Sequence, residues 1–194
     1  IKMMNQLEDG RVFLEYGPTR MLIDIRNNGQ RQPELALIVS EYVIDEFKRA
    51  CEHMPLLKGQ KLLEKPAQSY PISIQKMLAA VKRVGDDTLT PLAAVAGAFS
   101  DIALEKALSL GAERVIINNG GDIAFKDIRG NPVKVGIPIS KDNPASTFAL
   151  MLSDDKIGGI CTSGIGGRSF TKGIATAAVA IAENAASADA CATY

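Results

Sequence analysis

Apolar residues along this 194-residue chain recur with two periods, and the places where the period changes divide it into elements. In RVFLEYG (11–17) and RMLIDIR (20–26) apolar and polar residues alternate, with Gly17-Pro18 between, so the pair predicts a β-hairpin. From Pro33 the period lengthens. Leu35, Ile38, Val39, Tyr42, Val43 and Phe47 mark one face of a helix running to Met54, with charges on the other face. PLLKGQKLLEKPAQSYP reads as a proline-broken connector, and ISIQKMLAAVKRVG as a second helix ended by Gly85. Thr90-Pro91 predicts a helix start, a hydroxyl cap followed by proline at the first position, leading into LAAVAGAFSDIALEKALSLG. The later runs ERVIINN, IAF, VKVGIPI, TFALMLS, KIGGICT and AAVAIA (177–182) predict strands, and NAASADACATY starts a last helix. Helices arrive early and strands cluster late. That order predicts a single α+β domain over residues 1–194 with a mixed or antiparallel sheet, rather than regular βαβ alternation.

Composition narrows the function. The 22 basic and 22 acidic residues cancel, which argues against non-specific binding to nucleic acid or to an anionic membrane. No stretch approaches the ~20 uncharged apolar residues of a membrane helix. IKMMNQLEDG lacks the apolar run of a signal peptide, so a cytoplasmic protein is expected. Cys51, Cys161 and Cys191 are odd in number and lack metal-ligand spacing, which fits free thiols. His53 is the only histidine, so mechanisms needing two are excluded, and its place near a helix end suits a structural or solvent-facing role.

Three segments carry candidate chemistry. NNGGDIAF (118–125) ends a strand in two glycines and an acid. One reading is a tight turn with Asp122 bonding its own backbone; the other has Gly120 and Gly121 admitting a ligand to the backbone, with Asn119 and Asp122 as polar contacts. GGICTSGIGGRSFTKG interleaves glycines with Thr162, Ser163, Ser169 and Thr171. Exposed N–H groups in such loops form anion-binding concavities, and Arg168 and Lys172 could offset phosphate charge; a flexible hairpin loop is the alternative. In ADACAT, Asp189 and Thr193 lie at i and i+4 on one helix face. A carboxylate and a hydroxyl suit Mg²⁺, but a solvated Asp and a Thr bonded to its own helix would read the same. Cys191, two residues from Asp189, points elsewhere and reads as a small buried residue.

In this order AAVAGAFSD (93–101), NNGGDIA, ICTSG and ADACAT resemble the ApbE-like superfamily, the fold of the FAD-dependent flavin transferases. The resemblance spans about residues 90 to 194. It implies a site for FAD or a related nucleotide with a divalent metal. Asp189, Thr193 and a backbone carbonyl near Ala96 would be the metal ligands. Gly120, Gly121 and Asp122, with Thr162, Ser163 and Gly164, would line the nucleotide site beside Asn119. In the transferases, Mg²⁺ neutralises the pyrophosphate of FAD, a substrate threonine attacks, FMN is transferred and AMP leaves. Two parts of that pattern are missing: the His-x-x-Asp-Pro segment between Thr-Ser-Gly and Ala-Asp-Ala, and the lysine before the helix glycine, where Ala96 precedes Gly97. The expectation is therefore a Mg²⁺-dependent flavin or nucleotide protein, with FMN transfer or FAD pyrophosphate cleavage as its reaction. The alternatives are a non-catalytic carrier or sensor, or a protein that has lost ligand binding. The alanine-rich helices could form a homodimer face or pack inside one subunit.

Overall fold

The computed structural model describes residues 2–61, 63–138, 147–165 and 171–194. Their elements are β1 (Lys2–Gln6), β2 (Val12–Tyr16), β3 (Thr19–Asn27), β4 (Gln30–Arg31), α1 (Pro33–Cys51), α2 (Met54–Leu57), α3 (Ile72–Val84), α4 (Val95–Ser109), β5 (Arg114–Asn119), β6 (Asp122–Asp127), β7 (Val133–Pro138), β8 (Thr147–Leu152), β9 (Gly159–Ser163), β10 (Ala178–Ala182) and α5 (Ala185–Thr193). The fold class is α+β. The main sheet runs β1-β2-β3-β5-β6-β9-β10, with β4 beside β3, and every pairing among the described residues is antiparallel.

Strand alternation sends two sets of side chains to opposite faces. Val12, Leu14, Met21, Ile23, Ile25, Val115, Ile117, Ala124 and Cys161 meet the helices in the main core. Phe125 and Ile160, joined by Ile116 and Ile123, face the other way and pack against Val133, Val135 and Leu152 of the separate β7–β8 hairpin. Each fully buried Leu or Ile removed from water in this way contributes about 1.5–3 kcal/mol.

Several expectations are corrected. The N-terminal segment forms β1, which no alternation announced. The helix from Pro33 stops at Cys51, and α2 follows with Pro55 in its first turn, where the missing N–H costs nothing. Its buried face holds Ala36, Val39, Ser40, Val43 and Ala50, whereas Ile38 is 50% exposed. Glu46, expected among solvated charges, is buried, paired with Arg49 and accepting from the Ser73 hydroxyl at 3.1 Å. Thr90 makes no side-chain cap; Pro91–Ala94 form a 3₁₀ turn first, and α4 begins at Val95. Cys191 is exposed, because the inner face of α5 is taken by alanines, Asp189 and Thr193. The three thiols are free, and His53 packs edge-on against Tyr70 at 5.2 Å. The alanine-rich helices α4 and α5 bury their small residues against each other and the sheet within one subunit. Among the described residues no helix is long and apolar enough to cross a membrane.

Candidate functional site

Close crossing of α4 and α5 builds the centre of the molecule. A Cβ at Gly97 would overlap the Ala185 carbonyl and crowd the Asp189 Cβ, so glycine alone permits this approach. Each helix then places a carboxylate at the start of the other. Asp101 on α4 accepts from Ala185 N (2.8 Å) and Ala186 N (2.9 Å), and Asp189 on α5 accepts from Gly97 N (2.9 Å). These are the backbone donors that helix starts leave unpaired, so both acids act as caps supplied from another helix.

The sheet brings the glycine motifs to the same place. Asn119 and Asp122 pair across β5–β6, leaving Gly120-Gly121 as a two-residue turn whose φ values of 70° and 110° exclude most side chains. Asn119 also pairs with Met21 across β3–β5, which sets the Gly17–Arg20 turn beside it. A cavity of ≈ 400 Å³ opens here. Of the expected residues, Ala96, Asn119, Gly120, Asp122, Thr162, Ser163 and Gly164 all line it, and Gly121 does not. Gly121 instead donates its N–H to Asn118 Oδ1 at 2.9 Å. Arg168 and Ser169 lie outside the described residues.

Asp189 and Thr193 line a second cavity of ≈ 550 Å³, and Val95 borders both spaces. Thr193 donates to the Ala93 carbonyl at 3.1 Å. The Ala96 carbonyl accepts from Asn119 Nδ2 (3.2 Å) and the Ser100 hydroxyl (3.1 Å), which also donates to the Asp122 carbonyl (2.8 Å). The three expected metal ligands therefore adjoin one another at the start of α4, but they do not face one cavity.

Burial governs the electrostatics. It pushes the Asp189 carboxyl well above its ordinary range, and the charge of Asp122 pushes the same way, against the N–H groups of Gly97 and Ala96 and the Thr193 hydroxyl. Asp101 is pushed up to about 6 by burial, with its two α5 N–H bonds opposing. The Cys161 thiol is raised by burial and by the Asp122 and Asp189 charges, and it donates to the Ala185 carbonyl at 3.2 Å. That keeps it protonated and unsuited to nucleophilic attack. Ser163 differs from all of these. The residue is 8% exposed, and its Oγ is the one buried side-chain polar atom without a hydrogen-bond partner among the described residues.

Arg20, Phe47, Val95 and Phe99 also line the first cavity and were not singled out from the sequence. The Gly17-Pro18 turn signal was visible, but only the β3–β5 register directs that turn toward the site.

A family model described as AbpE bacteria matches residues 4–194. The chain belongs to that family. The UPF0280 protein of Methanothermobacter thermautotrophicus is 32% identical over 182 residues, covering 91% of this chain and 66% of that protein. That of Methanococcoides burtonii is 36% identical over 124 residues, 63% of this chain and 50% of its own. That of Methanothrix thermoacetophila is 41% identical over 106 residues, 53% and 43% respectively. In most of these comparisons the chain spans about half the length of the curated relative it matches. The names of these relatives state no activity. Both cavities of this AbpE bacteria family member lie within the matched region.

Proposed function

We propose that the chain binds FAD or a closely related nucleotide, together with a divalent cation such as Mg²⁺. The observation that carries this reading is Ser163 Oγ, buried in the wall of the first cavity with no hydrogen-bond partner among the described residues. A buried hydroxyl left unpaired costs about 1–3 kcal/mol. A ligand polar group reaching it would remove that cost. The same cavity pairs Phe47 and Phe99 with Asn119 and Asp122, an apolar wall with a few convergent polar groups, which is the usual make-up of a cofactor pocket.

The residues present fit a hard cation. A carboxylate, a hydroxyl and a carbonyl are oxygen donors of the type Mg²⁺ takes. Asp189 is buried in reach of the Asp122 charge, so a positive charge there would favour its ionised form. Among the described residues no group of three His, Cys, Asp or Glu stands ready as a metal cage. Asp189 and Thr193, which share the second cavity, would thus hold the cation alongside phosphate oxygens and water, while the Ala96 carbonyl borders the first cavity and already accepts from Asn119 and Ser100. Bound there, it would neutralise pyrophosphate charge. Gly120 admits the ligand to the backbone, Asn119 and Ser163 orient it, and Asp122 supplies an acceptor, while Gly164 lets the Thr176 carbonyl pack behind the wall.

This role, with FMN transfer or FAD pyrophosphate cleavage as its reaction, is the one the ApbE-like resemblance implies. A carrier or sensor is the second reading. It is favoured by the described lining of the first cavity, whose titratable groups are Asp122 and Arg20. Incubating the protein with FAD with and without Mg²⁺ separates the readings. AMP released only with Mg²⁺ supports the enzyme, FAD retained intact supports the carrier, and no retention under either condition removes both.

A further inference from the structure

Lys172 borders the second cavity with Asp189 and Thr193, and four contacts hold it there. Its backbone N–H donates to the Thr193 carbonyl at 2.9 Å. Its ammonium donates to Asp86 Oδ2 at 2.8 Å and to the Thr88 hydroxyl, and lies 5.3 Å from the centre of the Tyr194 ring. The backbone is thus anchored to the end of α5, while the side chain reaches across to the Asp86–Thr88 turn.

The Lys172 ammonium is the largest influence holding the Asp86 carboxyl down at about 2, but Asp86 has local partners as well. Its Oδ1 accepts from the Thr88 N–H at 2.7 Å and from the Thr88 hydroxyl at 2.5 Å, and the Lys172–Asp86 pair is partly solvated, with side-chain exposures of 39% and 22%. If Lys172 leaves, Asp86 keeps its local bonds and gains water. The ammonium can therefore exchange acceptors at small cost, since partly exposed ion pairs contribute little. The rest of the second cavity is largely apolar, walled by Leu89, Leu92, Ala93 and Val95, with Lys58 as the other cation in its described lining. An anionic group entering it without a cation would be poorly solvated.

We infer that Lys172 is an anion-responsive gate of the second cavity: a phosphate group entering beside Asp189 and Thr193 takes the ammonium from Asp86. This rests on the nucleotide reading above and assigns one residue a role in it. Asp86 is then a competitor for Lys172, and the two residues oppose each other in binding. A plain structural tie has no such opposition, because losing either partner breaks the same bond.

The test is calorimetric titration of ADP with Mg²⁺, and of uncharged adenosine, into the wild type, Asp86→Asn, Lys172→Ala and Lys172→Arg. Asp86→Asn should bind ADP about threefold more tightly, because the competing ion pair is gone. Lys172→Ala should bind about tenfold more weakly, with Lys172→Arg between it and the wild type. Adenosine should not distinguish the variants. If Asp86→Asn and Lys172→Ala weaken ADP binding together, or adenosine shows the same split, the gate is overturned and the nucleotide reading stands. A wild type that binds neither compound overturns both.

Discussion

Asp101 and Asp189 are the same device in two settings. Each is a buried carboxylate capping the first turn of the other's helix, and each is raised above its ordinary range chiefly by burial. Asp101 has an α5 N–H on each oxygen, at 2.8 and 2.9 Å. Asp189 caps α4 through Oδ2, lies within reach of the Asp122 charge and opens onto a cavity. What sets Asp189, the proposed binding acid, apart from Asp101 is therefore its surroundings, not the residue type or its burial. The first is closed by donors from a single helix. The second has a second carboxylate nearby and space for a ligand.

Substitutions at the crossing bear on this comparison most heavily. Gly97→Ala should separate the two helices and cost about 3 kcal/mol, seen as a lower thermal midpoint, because the added Cβ meets backbone rather than a movable side chain. An unchanged midpoint would mean that the crossing is looser than described.

Next comes Asp101. Its folded value of about 6 lies above the ordinary 3.8, so protonation favours the folded state. The stability gained is fully present below pH 3.8 and is lost as pH rises through about 6, a range of about 3 kcal/mol. Asp101→Asn should flatten this pH dependence in urea unfolding at pH 4.5 and 7.5. Parallel profiles for wild type and variant would contradict the assignment.

Asp189→Asn should separate binding from folding. Mg²⁺-dependent FAD affinity should fall at least about tenfold, since an uncompensated pyrophosphate would face the cavity. Thermal stability should change by less than that of Asp101→Asn. The smallest effect belongs to Ser163→Ala. It should leave stability unchanged or slightly higher and weaken FAD binding by roughly fivefold, about 1 kcal/mol. A marked loss of stability would mean that Ser163 has a structural partner.

The sequence made local motifs legible and long-range ones opaque. The Gly120-Gly121 turn, the Thr162–Gly164 segment and the Asp189–Thr193 spacing are each set within a few residues, and the fold gathers them around the start of α4. Arg20 reaches the same cavity only because β3 pairs with β5 nearly a hundred residues along the chain, and Phe47 because α1 sets its ring against Gly17 and Phe99. On α1 the expected Leu35, Val39, Tyr42, Val43 and Phe47 do face the core, and only Ile38 departs, for a related reason. Large residues mark a helix's apolar side in isolation, but tight packing against α3 and α4 selects Ala36, Ser40 and Ala50 and leaves Ile38 outside. Glu46 could not be read as buried, since its partner Ser73 comes from another helix. The Asp101 cap was equally hidden, because its donors lie 84 and 85 residues away.

The most direct measurement is calorimetric titration of FAD into the metal-stripped protein, with and without Mg²⁺, in parallel with Asp189→Asn. Tight binding that requires Mg²⁺ in the wild type and is lost in the variant is the result this account predicts. Equal binding by both proteins, or none by the wild type under either condition, would contradict it.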